Sequence, residues 1–210
     1  AGRDFFKVLA TDGLARAGEL EIGEITVPTP YFQPIASRGA VKDATFEDVR
    51  EIGYPLILMN TYHLICRPGV EVINQLGGLK NFTGWQGGIL TDSGGFQIFS
   101  LSPITKITSD GVSFRDYESG AEFFMSPEQC IDTQVIFGSD IIMALDVCTG
   151  LPAEREKVES DLMITHEWAQ RARDRFRERM AEGHTSAKLF GIVQGGVDEE
   201  LRKKSIEFIS

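Results

Sequence analysis

The segment from Thr91 to Gln97 reads Thr-Asp-Ser-Gly-Gly-Phe-Gln and places a carboxylate, a hydroxyl and two glycines side by side. An aspartate next to a serine can serve acid/base or nucleophilic chemistry, and glycines let a backbone approach a ligand closely. The same residues also suit an Asx-turn with a purely structural role. Because the segment follows a short apolar run at 88–90, these polar groups are predicted to stand where a buried strand passes into a loop.

Three more polar side chains hold the same kind of position. Asn60, Asp146 and Gln194 each come directly after an apolar run that predicts a strand. In parallel α/β folds the carboxyl ends of the strands meet at one edge, and ligands bind at that edge. We therefore predict that these three side chains converge with Asp92 on one cleft.

The elements that must position these residues alternate between strand and helix. Five strand–helix units are predicted, with strands at 31–35, 55–59, 88–90, 140–145 and 188–193. An antiparallel hairpin around Gly23 precedes them, and a β insertion at 104–114 follows the third strand. This order predicts an α/β fold, a partial TIM (β/α)8-type barrel that forms a single domain over 1–210. A doubly wound sheet is the alternative, although no Gly-x-Gly-x-x-Gly motif follows the first strand.

Composition and charge limit the classes of function. The chain has 210 residues, 42% of them hydrophobic, and a formal net charge of -10. The excess of acidic residues argues against a general nucleic-acid binder, but it does not exclude a local basic strip on the surface. Cys66, Cys130 and Cys148 are odd in number and widely spaced, which argues against a disulfide framework and for a reducing, cytoplasmic setting. No membrane-spanning stretch, signal peptide or zinc-ligand spacing is visible, so we expect no membrane contact and no metal site on this chain.

Four segments, taken in order, resemble the tRNA-guanine transglycosylase family, also called queuine tRNA-ribosyltransferase. They are Asn60–Leu64 with Arg67–Gly69, Thr91–Gln97, Gly138–Ile141 leading to Asp146, and Gly191–Gly195. The resemblance implies a TIM-barrel transferase of queuosine biosynthesis. Such a pentosyltransferase exchanges the wobble guanine of tRNA for a 7-deazaguanine, either preQ1 or queuine.

The resemblance also assigns roles to residues. By motif, Asp92 would be the acid/base aspartate, and Asp146 would accept the two adjacent donors of guanine. The residues expected to line the pocket or bind the base are Asn60, Ser93, Gly94, Gly95, Phe96, Asp146 and Gln194. We assign no catalytic role to His63, His166 or His184.

The family's covalent nucleophile, zinc ligands and much of its tRNA-binding surface come later in the family sequence and match no position here. We therefore expect a fragment, or a chain completed by a partner or by homo-oligomerisation, that holds the base pocket but not the complete reaction machinery. No cofactor is expected on this chain, and zinc is expected in the complete family member. From the residues alone, a single displacement with Asp92 as the nucleophile stays open.

Two other functions compete with the transglycosylase. A non-catalytic base- or tRNA-binding paralogue that pairs with an active subunit is the main alternative. The presence of both Asp92 and Asp146 favours the catalytic enzyme. An unrelated barrel hydrolase or aldolase-type enzyme ranks last, because no lysine follows a predicted strand and no metal-ligand set is visible.

Overall fold

Strands and helices alternate along most of the chain in the computed structural model, which describes residues 5–101 and 105–210. The strands are β1 Phe6–Asp12, β2 Ala15–Ile22, β3 Ile25–Thr29, β4 Leu56–Met59, β5 Gly88–Thr91, β6 Thr105–Ile107, β7 Val112–Arg115, β8 Glu122–Met125, β9 Ile141–Met143 and β10 Lys188–Phe190. The helices are α1 Phe46–Glu51, α2 Thr61–Cys66, α3 Val70–Gln75, α4 Leu79–Thr83, α5 Gly95–Leu101, α6 Pro127–Phe137, α7 Arg155–Ala181 and α8 Glu199–Ile209.

A four-stranded parallel sheet of β4, β5, β9 and β10 positions the candidate residues. Its order is β10-β9-β5-β4, so each strand lies beside the next parallel strand along the chain, with no reversal among the described strands. The residues of these strands are buried or partly buried, as expected when elements cover both faces of a sheet. The predicted α/β class and parallel sheet are therefore confirmed.

The strand predicted at 31–35 is wrong in its extent. Only Ile35 pairs with the sheet, through an isolated parallel bridge to Leu58. The Leu58 N–H donates to the Pro34 carbonyl at 2.9 Å, and the Ala36 N–H donates to the Leu58 carbonyl at 2.8 Å. Proline has no N–H to donate to a ladder, and Pro30 and Pro34 flank the apolar residues of this segment.

Two small antiparallel sheets accompany the parallel one. The predicted hairpin around Gly23 is present as β2 and β3, and β1 extends it to three strands. The predicted insertion is present as β6 and β7, and β8 again adds a third strand. Ile104, which the sequence placed in the first strand of that insertion, lies outside the described residues. Both additional strands were missed because β1 faces solvent over most of its length and β8 is short and largely exposed or half-buried.

Helices α6 and α7 cover one side of the sheet around β9. Ile131 of α6, Ile142 of β9, and Ala172 and Phe176 of α7 belong to one buried apolar cluster. Ser126, Pro127 and Gln129 form the sequence signature of a helix start, with a capping serine, a proline in the first turn and a glutamine three residues after the serine, and α6 begins there. No helix within the described ranges is long and apolar enough to cross a membrane.

Removing the cap of α6 should weaken the fold. The Ser126 hydroxyl accepts the Gln129 N–H at 3.2 Å, and the Gln129 side chain accepts the Ser126 N–H at 2.9 Å. We expect Ser126→Ala to lower the free energy of unfolding by about 1 kcal/mol, measured by urea denaturation. Ser113→Ala, at an exposed position of β7, should change it by less than about 0.5 kcal/mol. Equal losses in the two variants would contradict this assignment of the cap.

Candidate active site

Asp92 comes directly after β5. Its carboxylate accepts four hydrogen bonds, two from the segment after β4 and two from the segment after β5. The N–H groups of Thr61 and Gly94 donate to Oδ1 at 2.9 and 3.1 Å. The side-chain amides of Asn60 and Gln97 donate to Oδ2. These four bonds fix the carboxylate at the carboxyl edge of the sheet.

Asp146 lies in the segment after β9 and is only 8% exposed. The Ser93 hydroxyl donates to its Oδ1 at 3.1 Å, and the Gln194 amide donates to its Oδ2 at 2.6 Å. Ser93 follows Asp92 in the chain, and Gln194 comes from the segment after β10. Three strand ends therefore contribute to one group of hydrogen bonds.

The two glycines of the motif leave room that a side chain would fill. A Cβ atom on Gly95 would stand 2.7 Å from Asp146 Oδ1 and 2.9 Å from the Asp146 carbonyl oxygen. Gly94 has φ +80°, in the left-handed region that favours glycine, and a Cβ there would approach the Tyr62 nitrogen to 3.2 Å. The glycine pair thus lets helix α5 begin directly against the Asp146 carboxylate.

Burial dominates the electrostatics of both aspartates. Loss of water raises the pKa of Asp92, and the four donors around it offset that rise only in part. Burial also raises the pKa of Asp146 against the hydrogen bonds from Gln194 and Ser93, and the neighbouring charge of Asp92 adds to the rise. The site therefore holds two carboxyl groups that take up protons more readily than an exposed aspartate.

An apolar cavity adjoins Asp146. Its wall includes Ile98 and Phe99 of α5, Cys148 after β9, and Trp168 of α7. Burial raises the pKa of the Cys148 thiol, so this group stays protonated at neutral pH. With a volume of about 30 Å³, the cavity has room for one or two water molecules next to Asp146.

The structure brings together most of the residues that the sequence singled out. Asn60 contacts Asp92, whereas Ser93 and Gln194 contact Asp146. Phe96 lies on α5 with 60% of its surface exposed, so it is not the ordinary core residue that a single phenylalanine usually is.

The donors Thr61 and Gln97 were missed by sequence reasoning. Thr61 acts through its backbone N–H, which carries no signal in a sequence. Gln97 belongs to the Thr91–Gln97 segment and lies in the first turn of α5, so its closeness to Asp92 in the sequence was a signal for this contact.

Among the described residues, no cluster of three or more His, Cys, Asp or Glu side chains could hold a metal ion. Cys66, Cys130 and Cys148 are free thiols. Cys130 is fully buried, and burial raises its pKa, so it is a poor source of thiolate. The described residues do not fit a zinc site.

This geometry defines an α/β protein with a buried pair of aspartates at the carboxyl edge of a parallel sheet. A family model described as "Queuine tRNA-ribosyltransferase" matches residues 11–210. The chain belongs to the queuine tRNA-ribosyltransferase family, in agreement with the resemblance seen in its motifs.

Individual relatives agree with the family model. Proteins named queuine tRNA-ribosyltransferase from Thermodesulfovibrio yellowstonii and Koribacter versatilis are 48% and 46% identical to this chain, each over 96% of it. One of the same name from Mesorhizobium japonicum is 45% identical over 98% of the chain. The aligned regions cover 52%, 54% and 53% of these relatives, so the chain spans about half the length of the relatives it matches.

The raised pKa of Asp146 predicts how stability depends on pH. The native state binds this proton more tightly than the unfolded chain. The carboxyl therefore contributes stability below its ordinary pKa of about 3.9 and loses that contribution as the pH rises through the native pKa. We expect the free energy of unfolding of Asp146→Asn, relative to the unchanged chain, to rise as the pH increases above about 4. Urea unfolding at a series of pH values measures it.

Asp132→Asn provides a control of opposite sign. Burial opposes ionisation of Asp132, but hydrogen bonds from Arg175 and Arg179 outweigh it and lower the pKa. A lowered pKa contributes stability that is present above the unfolded pKa and lost in acid. The relative stability of this variant should fall as the pH rises toward about 4. Slopes of the same sign in the two variants would refute the assignment.

Proposed function

We propose that this chain forms the base-recognition part of a tRNA-guanine transglycosylase. Such an enzyme exchanges the wobble guanine of tRNA for a 7-deazaguanine, preQ1 or queuine. The observation that carries the proposal is the buried Asp146 carboxylate, held by Ser93 and Gln194 beside Asp92. The printed names of the relatives support the same reaction.

Asp146 is suited to read the guanine edge that carries two adjacent donors, the ring N–H and the exocyclic amine. A carboxylate accepts such a pair through two charge-assisted hydrogen bonds. Ser93 and Gln194 each donate to a different oxygen, and each oxygen of an ionised carboxylate keeps further acceptor capacity. The two side chains therefore orient the carboxylate without saturating it.

The charge of the site favours a base over a phosphate. Asp92 and Asp146 are close enough for the charge of one to raise the pKa of the other. An anionic ligand would meet two carboxylates, whereas a neutral, donor-rich base supplies the hydrogen bonds that buried carboxylates need. In this proposal the phosphates of the tRNA stay outside the pocket, and the base enters it.

Asp92 is proposed as the acid/base group. Base exchange breaks an N-glycosidic bond and follows the logic of retaining glycosidases, in which one carboxylate attacks C1′ and another transfers protons. The incoming base loses a proton as it attacks, and Asp92 would accept it. Its raised pKa brings it closer to the pH at which a base works best. Phe96, whose ring is exposed, would stack on the planar base.

The nucleophile is assigned to a second aspartate that follows in the family sequence and matches no residue here. Since the described residues do not fit zinc, no step of this proposal passes through a metal, and zinc in the complete family member stays a prediction.

The remaining architecture is also a proposal. We infer a partial TIM barrel, supported by parallel strands that follow one another in chain order. The single domain, completion by a partner or by homo-oligomerisation, tRNA as the partner and a cytoplasmic location belong to the same proposal.

Ligand selectivity tests the proposed function. We expect the chain to bind guanine and 7-deazaguanine bases in calorimetric titration. Hypoxanthine, which lacks the exocyclic amine, should bind about tenfold more weakly, because one carboxylate bond is lost. Adenine has no ring N–H beside its amine and should bind more weakly still. Equal affinity for the three purines would contradict recognition by Asp146.

Substitution of Asp146 tests the assigned residue. Asp146→Asn turns one acceptor into a donor that faces a donor of guanine, so the Kd for guanine should rise at least about tenfold. Asp116→Asn is the control, because the Asp116 side chain also has little exposed surface but bonds to Ser119 in the turn after β7. In the completed enzyme, where an exchange assay with labelled guanine is possible, Asp146→Asn should raise the KM for guanine more than the Kd for tRNA. The opposite order would remove Asp146 from base recognition.

A further inference from the structure

Thr165 and His166 are consecutive residues in the middle of α7, and both are buried although they are polar. Neither contacts the carboxylates of Asp92 or Asp146 in a hydrogen bond of the described residues. Thr165 contacts the segment that carries Asp146, and His166 contacts Ser205 of α8, which in turn contacts Gln194. The two residues therefore link one helix to two strand-end segments.

Thr165 holds the segment after β9. Its hydroxyl accepts the Val147 N–H at 3.0 Å and donates to the Asp161 carbonyl one helical turn back at 3.0 Å. Val147 follows Asp146 directly, so this bond fixes the backbone next to the carboxylate. Asp161 reinforces the contact, because its carboxylate accepts the Thr149 hydroxyl at 2.8 Å.

His166 holds the segment after β10 through Ser205 of α8. The His166 Nε2 atom lies 3.2 Å from the Ser205 hydroxyl, and that hydroxyl accepts the Gln194 N–H at 3.1 Å. Ser205 is completely buried, and the His166 ring stacks on Phe208 with a centroid distance of 4.1 Å. Burial lowers the pKa of His166, with the charge of Lys204 adding to the effect. A neutral ring can accept a hydrogen bond from the Ser205 hydroxyl, and the hydroxyl oxygen can then accept the Gln194 N–H.

We propose that α7 sets the geometry of the base-reading pair, with Thr165 positioning Asp146 and the His166–Ser205 contact positioning Gln194. The inference rests on the proposed function for its biological meaning. The positioning contacts themselves do not depend on that function. The 2.6 Å bond between Gln194 Nε2 and Asp146 Oδ2 joins two segments that α7 holds, one of them through Ser205. Thr165, His166 and Ser205 are positioning residues, since they act through Asp146 and Gln194.

A double-mutant cycle separates positioning from general stability. Ser205→Ala removes the acceptor of the Gln194 N–H and should raise the Kd for guanine about tenfold. In a Gln194→Ala background the same change should alter the Kd by less than about twofold, because the side chain that Ser205 positions is absent. Losses that simply add in the two backgrounds would overturn the proposal.

Thr83→Ala is the matched control. The Thr83 hydroxyl also accepts one backbone N–H, that of Trp85, and makes one further bond, to the Leu79 carbonyl. It lies at the end of α4, before β5, and contacts neither strand-end segment. We expect this variant to leave the Kd for guanine unchanged while losing similar stability.

Amide hydrogen exchange keeps the inference testable whatever the ligand result. Exchange at the Gln194 N–H should become about tenfold faster in Ser205→Ala and stay unchanged in Thr83→Ala. If the unchanged chain binds no guanine, the proposed function fails, and this exchange alone decides the positioning role. Should Ser205→Ala fail to fold, Thr165→Val supplies the second variant, with faster exchange expected at the Val147 N–H. Unchanged exchange in a folded variant would overturn the role of the residue replaced.

Discussion

Two carboxylates lie close together in a site that is largely shielded from water, and the rest of the structure supplies the hydrogen-bond donors that they need. An unpaired buried charge costs several kcal/mol, so every carboxylate oxygen needs a donor. The donors to Asp92 come from the elements that follow β4 and β5, and those to Asp146 come from the segments that follow β5 and β10. Only strands that run in the same direction bring such segments to one edge. The parallel sheet is thus the condition for the site.

The fold could be predicted where burial leaves a pattern in the sequence. Continuous apolar runs marked β4, β5, β9 and β10, and a capping box marked the start of α6. Elements without such a pattern were not predicted. Strand β1 faces solvent, so it lacks the alternation of a half-buried strand. The segment ending at Ile35 looked like a strand, but prolines without an N–H reduce its pairing to one bridge.

For the candidate site, the residues at the strand ends could be predicted, but the residues that position them could not. The rule that ligands meet the carboxyl ends of parallel strands was enough to single out Asn60, Asp92, Asp146 and Gln194, and the structure joins them in two hydrogen-bonded groups. The residues behind them were not predictable. His166 and Ser205 are separated by 39 positions along the chain, and their contact exists only once α7 and α8 have packed. Positioning residues of this kind can therefore be recognised only from the tertiary structure.

Trp168 has a consequence for observing this site with light. Its indole N–H donates to the Ser109 carbonyl at 2.9 Å, and its ring forms part of the cavity beside Asp146. The chain contains two tryptophans, and the other, Trp85, is buried against Phe46 and bonded to the Gly88 carbonyl. Trp168 is only 1% exposed, so a bound base cannot stack on it, but its indole emission follows the polarity around the ring. The chain thus carries an intrinsic fluorescent reporter next to the pocket, with the signal of Trp85 as a steady internal reference.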